Sequence, residues 1–259
     1  MILDEMTWRD ARDAIERNAV LIIPAGSIEQ HGHHLPLSTD SVTAFELANR
    51  VARQRDAVVA PVLSYTTHSR PSGGGGGDGF PGSIGIPARV MIDLVEGIVR
   101  DVLRQGYRRI VILNGHFENI VPVTDALSTV MRTFPKARAI LISWTDVVSP
   151  DDLKSLGFPA PEGFQDWAVE HAATTETSFM KHFRPEMVRN AGSDQGGVSR
   201  RATYEVFPLP SELIPSTGMM GDARHATAEF GERLASLAVN RIIEVLDREL
   251  GPAAMTGRG

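Results

Sequence analysis

The 259-residue sequence contains no cysteine. This absence excludes a disulfide framework, a thiolate zinc site and a cysteine nucleophile, so any metal must be held by histidines and carboxylates. No apolar run approaches the roughly 20 residues that span a bilayer, and residues 1–17 lack the apolar core of a signal peptide. We therefore expect a cytoplasmic protein with no membrane partner.

Dense blocks of basic residues are also missing. The formal net charge is -6, and the lysines and arginines are scattered along the chain. This distribution gives no electrostatic footprint for nucleic acid, so a nucleic-acid partner is not expected. The content of 42% hydrophobic and 22% charged residues is typical of a globular protein. The length suits one α/β domain, and we predict a single domain over residues 1–259.

Short apolar runs alternate with helical patterns through the first 145 residues. The predicted strands cover residues 19–24, 57–63, 109–113 and 138–143. The predicted helices cover residues 8–18, 41–53, 88–105, 119–133, 165–181 and 222–250. Strands that are apolar on both faces and separated by helices are typical of a parallel sheet covered on both sides. We predict an α/β fold, a three-layer α/β/α sandwich with a mostly parallel central sheet.

Residues 69–83, SRPSGGGGGDGFPGS, depart from the composition of the rest of the chain. Five consecutive glycines carry a high backbone entropy cost, which favours a functional role. The segment lacks the Lys-Ser/Thr of a P-loop, so a phosphate cradle is disfavoured, while a flexible surface loop remains an alternative. We predict a mobile loop at the mouth of an active site, where Ser72 and Gly73 bind substrate and residues 73–77 let backbone approach a small ligand.

Two motifs each follow a predicted strand and each place a carboxylate and an imidazole two residues apart. Glu29 and His31 follow the first strand with Asp40 behind them, and His116 and Glu118 follow the third. Ligands of open parallel sheets bind beyond the carboxyl ends of strands, and residues two apart in extended backbone point the same way. Taken singly, these residues have ordinary explanations: a lone histidine can be structural, and Asp40 can cap a helix. The five together favour a metal site on a shared rim.

Charge balance favours two ions over one. Three carboxylates around a single divalent ion would leave excess negative charge in a buried site. Two divalent ions instead balance the charge of the three carboxylates and one bridging hydroxide. Such a pair also creates a nucleophile, because bound water is acidified from a pKa of ~15.7 to about 7. Carboxylate and imidazole donors suit both zinc and manganese. The sequence therefore predicts a metal-dependent hydrolase with two divalent ions, Zn and/or Mn.

A third group of reactive side chains lies further along the chain. Trp167, Glu170 and His171 are neighbours at helical spacing, and Glu176 follows. A helix face with a buried tryptophan and a solvent ion pair would explain them equally well. Beside a metal site, Glu170 and His171 would suit proton transfer to a leaving nitrogen, and Trp167 could wall an apolar pocket.

These motifs together resemble the creatininase family of metal-dependent amidohydrolases. The matching stretches are residues 26–40 (GSIEQHGHHLPLSTD), residues 114–119 (NGHFEN), and Glu170-His171 followed by residues 176–178 (ETS). The family is an α/β/α fold with zinc or manganese, and it commonly assembles as a hexamer. The resemblance therefore implies a homo-oligomer that acts on a small molecule.

The resemblance also implies a ligand set. Glu29, Asp40 and His116 would hold one ion. His31, Asp40 and Glu118 would hold the other, with Asp40 bridging and Glu118 also taking part in catalysis. A bridging hydroxide would attack the carbonyl carbon of an amide, while the ions stabilise the oxyanion.

Roles around the substrate follow from the same resemblance. His171 would deliver a proton to the departing nitrogen, with Glu170 beside it to orient or share that proton. Trp167 and Trp144 would pack on a flat substrate. Phe117 would line the pocket where a creatininase usually carries tyrosine, which removes a hydroxyl from the rim.

The resemblance favours a creatinine amidohydrolase, which converts creatinine and water to creatine. Family members with much the same ligands hydrolyse formamides on pyrimidine precursors, trim peptides or open oxidised inositol rings, so another small substrate is the alternative. A non-catalytic module that binds metal structurally is a third hypothesis. It is disfavoured because a structural site needs no adjacent Glu-His pair.

Overall fold

The structure is a computed structural model that describes residues 1–69, 77–160, 163–189, 206–207 and 214–251. The substrate contacts predicted for Ser72 and Gly73 lie outside the described residues. Of the predicted glycine loop, Ser69 and the stretch from Gly77 onward are described. Ser69 hydrogen-bonds Glu29, and a Cβ atom at Gly77 would lie 3.1 Å from Oε1 of Glu29.

The described helices and strands alternate along the chain. The strands are β1 (Val20–Ala25), β2 (Ala57–Val59), β3 (Thr66–Thr67), β4 (Gly85–Ile86), β5 (Arg109–Asn114) and β6 (Arg138–Ser143). The helices are α1 (Trp8–Glu16), α2 (Thr39–Gln54), α3 (Ala88–Gln105), α4 (Ile120–Val130), α5 (Trp144–Val147), α6 (Pro150–Ser155), α7 (Thr174–Phe183) and α8 (Ala228–Leu250). Short 3-10 turns include Phe117–Asn119 and Trp167–Val169.

The central sheet has the strand order β2-β1-β5-β6, and every pairing in it is parallel. β3 and β4 form a separate two-stranded parallel pair. Side chains of β1 alternate between the two faces: Val20 and Ile22 join a core with α2, α7 and α8, whereas Leu21 and Ile23 join a core with α3 and α4. Helices therefore cover both faces, and the predicted three-layer α/β/α architecture is confirmed.

The strand order reverses between β1 and β5. From β1 the chain passes through α2 to β2 on one side, and from β5 it passes through α4 to β6 on the other. A crevice forms at such a switch point, outside the carboxyl ends of the two strands. The first two motifs follow these two strand ends, so the topology brings them together.

Two predicted helices differ most from the structure. The predicted helix over residues 165–181 is split into the 3-10 turn Trp167–Val169 and α7, because the chain turns sharply at Ala172, whose φ is 55°. The predicted helix over 222–250 begins later, at Ala228, where the Thr227 side chain accepts a hydrogen bond from the Phe230 backbone N–H.

Across the described ranges, no helix combines the length and apolar character needed to cross a membrane.

Candidate metal centre

Asp40 lies in the first turn of α2 and points into the crevice between β1 and β5. Ser38, not Asp40, occupies the N-cap position of α2, and Oδ2 of Asp40 accepts a hydrogen bond of 2.7 Å from Ser27. The helix approaches β5 closely at Gly115, where a Cβ atom would lie 2.5 Å from the Asp40 carbonyl oxygen. Capping therefore does not explain Asp40, and a glycine at position 115 is what lets its helix reach the crevice.

The first group of donor atoms comprises Glu29, Asp40 and His116. Nδ1 of His116 lies 3.0 Å from Oδ2 of Asp40 and 3.2 Å from Oε2 of Glu29. All three side chains are buried. This is the set that the resemblance implied for one ion.

The second group comprises His31, Asp40 and Glu176. Nε2 of His31 lies 3.1 Å from Oδ1 of Asp40 and 3.6 Å from Oε2 of Glu176. Nδ1 of His31 is 3.0 Å from the Glu29 carbonyl oxygen, which orients the ring. Asp40 thus presents one oxygen to each group, as expected for a bridging carboxylate.

Glu118, expected in the second group, lies elsewhere. Its Oε2 is 3.5 Å from Nε2 of His116, on the opposite edge of the ring from Glu29 and Asp40. Within the described residues, Nε2 of His116 is buried without a hydrogen-bond partner. The sequence argument assumed extended backbone after β5, but Phe117–Asn119 is a 3-10 turn, so side chains two apart do not point the same way.

Glu176 is the donor that the sequence analysis did not assign. It lies in the first turn of α7, and its Oε2 also accepts a hydrogen bond of 2.6 Å from the Ala172 backbone N–H. The sharp turn at Ala172 brings this helix end against His31. Its place five residues after His171, inside the third motif, was the available signal.

In both donor groups, neighbouring carboxylates and imidazoles stabilise one another's charged forms. Burial alone would lower the pKa of His31 and His116, but the carboxylates of Asp40, Glu29 and Glu176 outweigh burial and raise it well above 6.5. Burial alone would raise the pKa of Glu29, but His116, His171 and His31 bring it to about 2. Carboxylates kept ionised in a buried site attract cations.

The donor chemistry fits divalent ions. Within each group the oxygen and nitrogen atoms lie within 4.8 Å of one another, and one further group of this kind joins Glu29 and His31 to His171. Glu29, Asp40, His31 and His116 are each less than 7% exposed, unlike ordinary surface acidic clusters. Three carboxylates gathered in one buried place need compensating positive charge, which two divalent ions can supply.

His171 and Glu170 take different positions in the third motif. The His171 ring centroid lies 4.4 Å from that of His31, so this side chain adjoins the donor groups. The Glu170 carboxylate instead accepts hydrogen bonds from the backbone N–H and the hydroxyl of Thr175, at 2.9 and 2.7 Å. Glu170 thereby satisfies one backbone amide in the first turn of α7, a stabilising role that the sequence did not indicate.

The three aromatic side chains expected to contact the substrate differ in how far they are buried. Trp144 is 5% exposed and contacts Trp167 and Phe179 edge-on, each at 5.0 Å between ring centroids. Trp167 is partly exposed, and Phe117 is 57% exposed beside His116. Trp167 and Phe117 therefore have surface available for a ligand, whereas Trp144 mainly supports Trp167 from the core.

Two buried asparagines without an assigned role join the loops that carry the donors. Asn114 donates to the His116 carbonyl oxygen at 2.7 Å, and Asn119 donates to the Gly26 carbonyl oxygen at 2.9 Å. Asn119 also donates to the side-chain oxygen of Asn114 at 3.2 Å. The loop after β5 is thereby fixed to the loop after β1, at the distance that the donor groups require.

Known proteins match this chain over nearly its full length. A family model described as Creatininase, creatinine amidohydrolase, matches residues 4–246. The creatinine amidohydrolase of Pseudomonas putida is 30% identical, over 97% of this chain and 98% of that protein. A mycofactocin precursor peptide peptidase from Mycolicibacterium smegmatis is also 30% identical, over 88% of this chain and 85% of that protein.

Solved structures agree with the sequence relatives. A creatininase structure described with Mn superposes with a TM-score of 0.91 at 29% identity, covering 97% of this chain and 99% of that chain. A Zn-Zn form of a creatininase variant is also among the similar structures. The match in sequence and fold extends over nearly the full length, and this chain belongs to the creatininase family of hydrolases.

Proposed function

We propose that this protein is a metal-dependent creatinine amidohydrolase that holds two divalent ions, zinc and/or manganese, in each subunit. The observation that carries the metal chemistry is Asp40, which offers one carboxylate oxygen to each of two buried donor groups. Similarity to a creatinine amidohydrolase over nearly the full length of both chains supports the substrate. The reaction adds the oxygen of water to the ring carbonyl carbon and breaks the bond from that carbon to the ring nitrogen.

The chain would hold one ion with Glu29, Asp40 and His116. The second would be held by His31, Asp40 and, on the geometry described above, Glu176 in the place first assigned to Glu118. Bound there, the ions would acidify a water molecule and polarise the substrate carbonyl. The carboxylate of Glu118 lies against the outer nitrogen of His116, where it can orient that ring and reach the crevice as a catalytic group.

His171 would act as the proton donor to the departing nitrogen. Its ring lies against His31, so it adjoins the place where the amide bond would break. Glu170 supports this residue indirectly, because it fixes the start of α7 immediately after the turn that carries His171. Trp167 and Phe117 would bound the pocket for a small planar ring, with Trp144 behind Trp167.

A second candidate is the hydrolysis of another small substrate, a formamide on a pyrimidine precursor, a peptide or a keto-inositol ring. Two observations favour keeping it. The peptidase relative is as identical to this chain as the creatinine amidohydrolase is. Phe117, an apolar side chain without a hydroxyl, is exposed beside His116 where the substrate would bind.

Turnover of creatinine decides between these functions. Protein reconstituted with zinc or with manganese is incubated with creatinine, and creatine is quantified against a chelator-treated control. Formation of creatine that depends on metal supports the proposal. If neither metal form turns over creatinine while both retain two ions per chain, creatinine is not the substrate, and the alternative substrates are assayed with the same preparations.

Assembly is expected from the family resemblance, whereas location and domain count are expected from the sequence itself. A homohexamer, a single domain and a cytoplasmic location stay predictions, and light scattering coupled to size exclusion tests the first of them.

A further inference from the structure

His34 follows His31 in the loop after β1, and its side chain contacts α7. Nε2 of His34 lies 2.8 Å from the hydroxyl oxygen of Thr177, which is hydrogen-bond distance. Both residues are buried. Thr177 comes directly after Glu176 in the sequence. The hydrogen bond therefore joins the loop that carries one member of the second donor group to the helix end that carries another.

The loop that carries His34 is itself fixed. The Glu29 backbone N–H donates to the Leu37 carbonyl oxygen at 2.9 Å and closes the loop, and the Arg189 backbone N–H donates to the His34 carbonyl oxygen at 2.8 Å. Gly32, whose φ is 66°, packs so closely that a Cβ atom there would lie 3.1 Å from Nδ1 of His34. The ring of His34 can therefore serve as a fixed point for α7.

Glu176 reaches the second donor group from α7, whereas His31 and Asp40 reach it from the loop after β1 and from α2. Oε2 of Glu176 lies 3.6 Å from Nε2 of His31. Bonds from zinc to nitrogen and oxygen are about 2.0–2.2 Å long and tolerate errors of only about 0.2 Å. A small shift of the first turn of α7 would therefore weaken the site.

We propose that the hydrogen bond between His34 and Thr177 positions Glu176 for the second ion. Neither His34 nor Thr177 is a member of a donor group, so their bond does not compete with the ion for a ligand atom. Donors that are held in place before binding lose less conformational entropy when the ion arrives. The proposal rests on the proposed two-ion site and makes His34 and Thr177 positioning residues that set its affinity.

Zinc affinities of Thr177→Val and Thr177→Ser test the proposal by competition with a chromophoric chelator. Valine matches the shape of threonine without the hydroxyl, whereas serine keeps the hydroxyl. Loss of a contact that orients a metal ligand costs about 10-fold or more, so Thr177→Val should bind one of two ions about 10-fold more weakly. Thr177→Ser should stay within about 3-fold of the unsubstituted protein. Glu176→Gln shows which of the two affinities belongs to the second donor group.

Thr174→Val is the matched control. Thr174 lies in the same turn of α7 and is also buried, but its hydroxyl donates to the Asp222 carbonyl oxygen at 2.6 Å. This variant therefore loses a hydrogen bond to the C-terminal part of the chain and not to the loop after β1. Both valine variants should lower the metal-free Tm by similar amounts, because each loses one buried hydrogen bond. Only Thr177→Val should weaken the second ion.

The other partner of the bond gives an independent comparison, which also decides if Thr177→Val does not fold. Glutamine can donate or accept, so His34→Gln can keep the bond to Thr177, whereas His34→Leu cannot. His34→Leu should weaken the second ion about 10-fold, and His34→Gln should recover most of that affinity.

The possible results separate this proposal from the proposed function. Two ions in the unsubstituted protein, with selective loss of affinity at the second in Thr177→Val and His34→Leu, support the positioning role. Two ions with equal affinities in Thr177→Val and Thr174→Val, or equal weakening of both ions, overturn that role and leave the two-ion site intact. Fewer than two ions in the unsubstituted protein would overturn the two-ion site and the positioning role together.

Discussion

Glu176 lies with Oε2 3.6 Å from Nε2 of His31, although the two residues belong to motifs that are far apart in the sequence. The contact depends on the turn at Ala172, which places the first turn of α7 beside the loop after β1. It completes a second donor group with Asp40 as the shared member. Metal content and activity should therefore respond differently to changes at Glu176 and at Glu118.

Glu176→Gln should lose one of two ions, because the second donor group loses a charged oxygen. Glu118→Gln should keep both ions and lose activity, because Oε2 of Glu118 lies against Nε2 of His116, outside the two donor groups. Elemental analysis after identical reconstitution measures both, and the two substitutions are chemically matched. Loss of an ion from Glu118→Gln but not from Glu176→Gln would reverse the ligand assignment.

Ser69→Ala should weaken metal binding without removing a ligand. The Ser69 hydroxyl donates to Oε1 of Glu29, which leaves Oε2 facing His116. Hydrogen bonds of this kind orient metal ligands, and their loss typically costs about 10-fold or more in metal affinity. Competition with a chromophoric chelator measures the affinity. Ser178→Ala is the control, because its buried hydroxyl bonds to the Thr174 carbonyl oxygen within α7 and accepts from the Thr227 backbone N–H. Equal affinities in both variants would contradict this role for Ser69.

The stability of the metal-free protein should fall as the pH rises above neutrality. Asp40 and Glu29 outweigh burial and raise the pKa of His31 and His116 well above 6.5. Histidines whose pKa is raised in the folded chain contribute their full stabilisation at pH values below about 6.5, their pKa in the unfolded chain. This contribution is lost as the pH rises through their pKa in the folded chain. The lowered pKa of Glu29, about 2, adds stability above its unfolded value of 4.5 that is lost in acid.

Thermal unfolding with and without chelator checks this dependence. Metal requires neutral imidazoles, so the gain in Tm from zinc should be larger at about pH 8 than at about pH 6. The metal-free Tm should change in the opposite direction over the same interval. A metal-free Tm that rises between these two pH values would show that the buried histidines are not protonated in the folded chain.

Glu170→Ala should destabilise the protein by about 1 kcal/mol or more, because the start of α7 loses an acceptor. Glu170→Gln retains an oxygen that can accept from Thr175, so it should keep most of that stability and most of the activity. Urea unfolding and turnover measured on both variants separate the two effects. A stable Glu170→Gln with strongly reduced kcat would instead support the direct proton-sharing role inferred from the resemblance.

Much of the fold could be predicted because apolar runs mark the strands clearly. β6 and α3 occupy the predicted residues, and α3 ends at Gly106, whose φ of 123° suits a helix-ending glycine. The site depended on less local information. Alternate residues share a face in extended backbone but not in the 3-10 turn Phe117–Asn119. The rule therefore did not indicate that Glu118 would lie beside Nε2 of His116.

The third motif shows why helical spacing was insufficient. Trp167, Glu170 and His171 fit a continuous helix in spacing, but the Glu170 side chain bonds to the Thr175 backbone and starts a new helix there. This competition between side chain and backbone is not visible in hydrophobic periodicity. The break between the 3-10 turn and α7 places Glu176 beside His31, so its part in the donor group becomes evident only in the folded chain.

The distribution of donors along the chain also affects synthesis. Every residue of the first donor group has been translated once His116 has left the ribosome, whereas the second group stays incomplete until Glu176 follows. A growing chain therefore completes its two donor groups at different lengths. Because Glu176 is translated last, completion of the second group requires that α7 has docked onto the sheet.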